Sequence, residues 1–175
     1  MTKPTTTSRL IERTFVLIKP DGVRRGLATE IMSRFERCGL KIVGMRFRIV
    51  NRDFASRHYT EEDITARHGE RVREQLMEYL TSGPVLTAVL EGYAAVAVVR
   101  KICGTTEPTA ALPGTIRGDY CHHGYKLCNE SDQAVRNVIH ASATPPEAQA
   151  EIVLWFNEDE LITYRTNDEQ EHFFR

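Results

Sequence analysis

Apolar and polar positions follow two rhythms along this chain. Thr14-Phe-Val-Leu-Ile18 is a short apolar run of β-formers bounded by charge, which predicts a buried strand. Lys19-Pro-Asp-Gly22 ends it as a turn. From about Ala28 to Cys38 the spacing becomes helical, with Ile31, Met32 and Phe35 on one face and Gly39 as the stop. Leu40 to Val50 predicts a second strand. There Met45, Phe47 and Ile49 alternate with Arg46, Arg48 and Val50, the pattern of a half-buried strand. Asp53 to His58 and Glu70 to Leu80 predict helices separated by a charged loop. Ser82-Gly-Pro84 breaks the chain before a third strand, Val85 to Leu90. A short apolar helix, Ala94 to Cys103, stops at Gly104. Thr105 to Val135 has no clear period, and irregular stretches of that length are usually functional or mobile. Val138-Ile139 is the candidate last strand. Thr144-Pro-Pro-Glu147 has the capping-box pattern and opens a final helix at Pro146, in which Glu151 and Trp155 share a face.

The order β-α-β-(α)-β-α-β predicts an α+β fold. The expected form is a ferredoxin-like sandwich, β-α-β-β-α-β, with an antiparallel sheet and helices on one face. At 175 residues the chain is long enough for one domain with a proper core. That domain is expected to span 1–175, with a disordered or arm-like N-terminus over 1–11 and a polar C-terminal tail over 165–175. The formal net charge of -1 argues against a broad basic footprint, so nucleic acid is an unlikely partner and a polybasic membrane patch is absent. An anionic substrate must then be met by a few placed cations. No apolar run approaches membrane-span length and the first residues have no apolar signal core, so a cytoplasmic location is the default. The four cysteines, Cys38, Cys103, Cys121 and Cys128, are irregularly spaced, and free thiols are expected.

One histidine stands out. His140 lies between an apolar run and the small residues Ala141, Ser142 and Ala143. A phosphate-carrying imidazole needs open space on one face and a partner for its other ring nitrogen. Glu151 is near enough along the chain to be that partner. On this segment alone a satisfied structural histidine is the commoner reading. Lys19 sits at a strand end, where a rigid junction can aim a compact charge at a phosphate. Arg117 lies in Pro113-Gly-Thr-Ile-Arg-Gly-Asp119, where two glycines let the backbone approach a ligand and the guanidinium can make a bidentate contact. The alternatives are a solvated lysine and a surface turn with an exposed Arg-Asp pair. Arg100 and Thr106 flank Gly104. No P-loop, Gly-x-Gly-x-x-Gly, protein-kinase catalytic loop or serine nucleophile elbow occurs.

Taken together, Glu12-Arg-Thr-Phe-Val-Leu-Ile-Lys-Pro-Asp-Gly-Val23, Pro113-Gly-Thr-Ile-Arg-Gly-Asp119 and Arg136-Asn-Val-Ile-His-Ala-Ser142 resemble the nucleoside diphosphate kinases. Ser82-Gly-Pro-Val85 and Leu154-Trp-Phe156 fit the same family, and the similarity runs from about Glu12 to Tyr164. The resemblance implies a symmetric homo-oligomer, tetramer or hexamer. It implies transfer of the γ-phosphate of a nucleoside triphosphate such as ATP to a nucleoside diphosphate, by ping-pong through a phosphohistidine. By the same resemblance His140 is the nucleophile and Glu151 holds its ring. Lys19, Arg100, Thr106 and Arg117 hold phosphates, Asn137 holds the sugar, and Tyr59 supports the site near Lys19. Mg²⁺ would ride on the nucleotide phosphates, so no protein metal ligand is expected.

Three positions depart from the family pattern: Ala141 and Ala143 beside the histidine, and Val72 where a base-stacking aromatic is usual. They keep a second reading open, a nucleotide-binding regulatory member with weak or lost catalysis. Two stretches also run long, 59–82 and 120–135. The second carries Cys121, His122, His123 and Cys128, which match no standard zinc spacing. It reads as a surface excursion beside the site, able to touch a neighbouring subunit or a bound nucleotide.

Overall fold

A computed structural model describes residues 10–173. In chain order the elements are β1 (Ile11–Ile18), α1 (Pro20–Arg24), α2 (Ala28–Arg37), β2 (Lys41–Ile49), α3 (Arg52–His58) and a π-helical turn (Glu61–Thr65). They continue with α4 (Ala66–His68), α5 (Glu70–Thr81), β3 (Pro84–Tyr93), α6 (Ala95–Cys103), α7 (Ile116–Tyr120), α8 (Tyr125–Ser131), β4 (Ile139–Ala141), α9 (Pro145–Trp155) and α10 (Asn167–Phe173). Most of the expected N-terminal arm lies outside the described residues, and its last position, Ile11, already belongs to β1.

The four strands form one antiparallel sheet in the order β2-β3-β1-β4, the ferredoxin-like arrangement. β1 is central and explains the unbroken apolar run. Val16 and Ile18 point into a core with Ile31 and Phe35 of α2 and Val99 of α6. Phe15 and Leu17 point the other way, into a second core with Tyr59, Met77, Ile152 and Trp155. The two helices of the βαββαβ unit, α2 and α6, therefore share one face as expected. The opposite face is covered as well, by α3, α5 and α9.

Three local readings change. Lys19-Pro-Asp-Gly22 is not a simple turn: Pro20 opens α1, at a helical position where a missing N–H does no harm. The long aperiodic stretch holds α7 and α8, both too short and too mixed in composition to show a helical period. On β2 the alternation is real but points the other way, because Met45, Phe47 and Ile49 are the exposed set. A register shift between Ile42 and Gly44 moves these side chains to the α2 face beyond its helices, while Arg46 and Arg48 turn toward α9. The polar tail carries a short helix of its own, α10. Its Glu169 pairs with Lys41 Nζ at 3.0 Å; Glu91 approaches the same ammonium at 2.7 Å.

Candidate active site

β4 is three residues long, and its alternation decides where the chemistry goes. Ile139 and Ala141 enter the α2–α6 core, whereas His140, opposite Leu17 on β1, faces α9. From α9, Glu151 Oε1 lies 2.6 Å from His140 Nε2. The other carboxylate oxygen accepts from Ser142 Oγ at 2.5 Å. Thr144 caps α9, and the Glu147 side chain reaches back to the Ala143 N–H at 3.1 Å, so the helix starts rigidly at Pro145. Burial pushes the Glu151 carboxyl upward, but the adjacent His140 ring, His58 and the Ser142 hydroxyl outweigh it and hold it below its ordinary value. The carboxylate is thus ionised at neutral pH and fixes the proton on Nε2, which leaves Nδ1 as the basic nitrogen.

Lys19 ends β1 and is 5% exposed. Its ammonium donates to Asn137 Oδ1 at 2.8 Å, and its backbone N–H donates to Val138 O, also at 2.8 Å. Val138 adopts φ 56, a left-handed conformation rare for a β-branched residue, directly before the strand that carries His140. Burial, reinforced by the nearby Arg117 charge, lowers the Lys19 pKa to about 7. Arg117 is 3% exposed and is no surface turn residue. Its guanidinium donates to Gly104 O at 2.8 Å and Ile139 O at 2.7 Å, while Asp119 pairs instead with Arg34. The expected bidentate contact is therefore made to the protein's own backbone, tying α7 to β4. Arg117 Nε is buried without a partner. Burial also holds the guanidinium below its ordinary pKa, with Arg100 adding to the effect against Cys103.

Arg100 Nη1 lies 3.4 Å from Ala141 O. Asn137 bridges Lys19 to the Thr106 carbonyl, which its Nδ2 reaches at 2.9 Å. Tyr59 is buried, and its carbonyl accepts from Arg73 at 2.7 Å. All eight expected residues line a single cavity of about 680 Å³, within the range of small-molecule sites. Val72 and Ala143 line it too.

Sequence reasoning missed His58. Its side chain is 1% exposed, its Nδ1 accepts from Trp155 Nε1 at 3.3 Å, and its ring stands edge-on to His140 at 4.8 Å. Burial, with His140 adding, depresses its pKa to about 3, so it stays neutral. Its partners lie 82 and 97 residues away, and nothing local marks it. Ligand atoms of His58, His140 and Glu151 fall within 4.8 Å of one another; His58 Nδ1 meets Trp155, and His140 and Ser142 meet Glu151, while His58 Nε2 is buried without a partner. Cys121, His122, His123 and Cys128 do not form a metal-sized group among the described residues; Cys128 Sγ meets His123 Nδ1 at 3.3 Å.

An imidazole held by a carboxylate, faced into a cavity with two buried cations and a half-buried third, defines a phosphoryl-transfer centre. The comparisons narrow that class. Residues 12–161 match the family model described as nucleoside diphosphate kinase. A nucleoside diphosphate kinase of Borreliella burgdorferi is 47% identical over 165 residues, covering 94% of this chain and 99% of that protein. One of Thermus thermophilus is 47% identical over 153 residues, covering 87% and 100%. A solved structure described as a transition-state mimic of the Borrelia burgdorferi enzyme with bound vanadate and ADP superposes with a TM-score of 0.93 at 46% identity, covering 96% of this chain and all of that one. This chain belongs to the nucleoside diphosphate kinase family, a family of phosphotransferases.

Proposed function

We propose that this protein moves the γ-phosphate of a nucleoside triphosphate to a nucleoside diphosphate through a phosphohistidine at His140. The observation that carries this reading is the 2.6 Å contact between His140 Nε2 and Glu151, which reserves Nδ1 for the cavity. In the first half-reaction Nδ1 attacks the γ-phosphorus. The Nδ1–P bond forms, the bond to the bridging oxygen breaks, and the diphosphate leaves with that oxygen's electron pair. A second nucleoside diphosphate then takes the phosphoryl group by the reverse step. Lys19, Arg100 and Arg117 stabilise charge on the phosphate oxygens, with Thr106 beside them, and Asn137 orients Lys19 as well as the sugar. The departures at 141 and 143 leave the His140–Glu151 contact intact, which favours an active enzyme over a purely regulatory one.

Magnesium fits this site as a passenger of the nucleotide. The carboxylates near the cavity already have partners: Asp63 with Arg67, Glu147 with the Ala143 N–H, and Glu151 with His140. Bound to the phosphates, the ion would supply charge neutralisation. The chain is proposed to act as one domain in a cytoplasmic homo-oligomer. All four thiols are free, and among the described residues no helix is long and apolar enough to cross a membrane. Met45, Phe47 and Ile49, 56–74% exposed on the edge strand β2, offer an apolar face that a second copy can cover. An assembled tetramer or hexamer is expected on gel filtration in moderate salt, and a clean monomer would refute that part. For the activity, γ-labelled ATP should give an acid-labile phosphoprotein that a nucleoside diphosphate chases. Equal labelling of His140→Ala would sink the mechanism.

A further inference from the structure

The two stretches that run long, 59–82 and 120–135, are distant in sequence and meet at the surface beside the cavity. Asp132 caps α8 in a left-handed conformation, φ 51. Its carboxylate accepts from Arg71 Nε at 2.8 Å and Nη2 at 2.7 Å, and from the Gln75 amide. Helix α8 is thereby tied to α5. The same two segments line the cavity, Val72 and Leu76 from α5, Tyr125 from α8 and Ala134 just beyond it. The Tyr125 side chain is exposed, and among the described residues its ring stacks on no other ring.

A nucleotide whose phosphates lie among Lys19, Arg100 and Arg117 must put its base in the remaining part of the cavity, where Ile64, Val72, Leu76 and Ala134 supply apolar lining. Val72 gives that part an apolar contact without a π-face. Tyr125 can give one. We propose that α8 is a base-binding strap: Tyr125 stacks on the base, and Asp132 latches the strap to α5. This inference rests on reading the cavity as a nucleotide site. The latch joins two largely exposed side chains, a kind of ion pair that is weak and screened by salt. It can therefore open each time one nucleotide leaves and the next enters.

The test compares phosphate donors with and without a base. ATP phosphorylates His140 through the whole cavity, whereas phosphoramidate has no base for the strap to hold. Tyr125→Ala should raise KM for ATP and for nucleoside diphosphates by about fivefold or more, the scale of one lost base stack. Tyr125→Phe should stay within about twofold of wild type. Asp132→Ala should raise KM by up to about fivefold, and its KM should respond less to added salt than that of wild type. Phosphorylation by phosphoramidate should be unchanged in all three. Unchanged nucleotide KM values in both Tyr125→Ala and Asp132→Ala would overturn the proposal. So would equal losses with phosphoramidate, which would mark a general structural role. Wild type that accepts phosphate from phosphoramidate but not from ATP would instead overturn the nucleotide reading itself.

Discussion

Replacing Lys19 with Met removes a cation that burial already destabilises, and the consequence can be worked out in protons. In the free protein the Lys19 ammonium titrates near pH 7 instead of 10.5. At pH 8 about nine-tenths of the side chains are then neutral. A phosphate arriving beside Nζ favours the charged form, so wild-type binding should take up roughly 0.9 proton more than Lys19→Met at that pH. Wild-type affinity should fall by up to about tenfold for each pH unit above 7, while the variant's affinity stays nearly flat. Calorimetric titration with ADP in two buffers of different ionisation enthalpy measures the uptake directly. The stability effect has the opposite sense. Unfolded Lys19 keeps its proton up to about pH 10.5 and folded Lys19 loses it near 7. The unfolded state therefore binds more protons across that window, and wild-type stability rises with pH through it. Below pH 7 the variant, free of a buried charge, should melt at a higher temperature than wild type. Equal proton uptake in both proteins, or wild-type affinity unchanged between pH 7.5 and 9, would refute the reasoning.

Glu151→Gln keeps the shape of the site but replaces a charge-assisted partner of His140. We expect kcat/KM to drop by about 10- to 100-fold, with phosphoenzyme formation slowed in single-turnover experiments. Because the Glu151 carboxyl is held below its ordinary value near 4.5, it contributes stability above that pH and loses the contribution as the pH falls through its folded pKa. The acid limb of a melting-temperature profile should therefore be flatter in Glu151→Gln. In Gly22→Ala the new methyl would lie 2.9 Å from Ile18 Cγ2 and 3.0 Å from Val138 O, the acceptor of the Lys19 N–H. Urea unfolding should show a loss of about 1–3 kcal/mol, accompanied by a raised nucleotide KM; wild-type values for both would mean that this junction is soft.

Much of the frame was legible because its signals are local. The β-formers of Thr14–Ile18, the Gly39 stop and the Thr144-Pro-Pro-Glu147 box each act within a few residues. His140, Glu151, Lys19 and Arg117 were also legible, as residue types in motifs. What those side chains touch was not. The binding partners of Arg117 are two carbonyls 13 and 22 residues away, and only packing α7 under β4 brings them together. His58 becomes part of the site through Trp155, and Ser142 through the second oxygen of Glu151. On β2, alternation revealed the strand but not its inward face, because one register shift reverses the assignment and leaves no mark in composition. Helix α8 stayed hidden because Cys128, Asn129 and Ser131 are weak helix formers, and Arg71 and Gln75, which hold its C-cap Asp132, lie 61 and 57 residues away.

His140 and the cations around it share one cavity, and this shapes the direction of the exchange as well as its chemistry. Donor and acceptor occupy the same space in turn, so each half-reaction is the other run backwards over the same contacts. The P–O bond broken in one nucleotide is equivalent to the bond made in the next. A centre built this way brings the nucleosides it admits toward a common ratio of triphosphate to diphosphate. The direction of net flow is then set by whichever reactions in the cell consume or regenerate triphosphate.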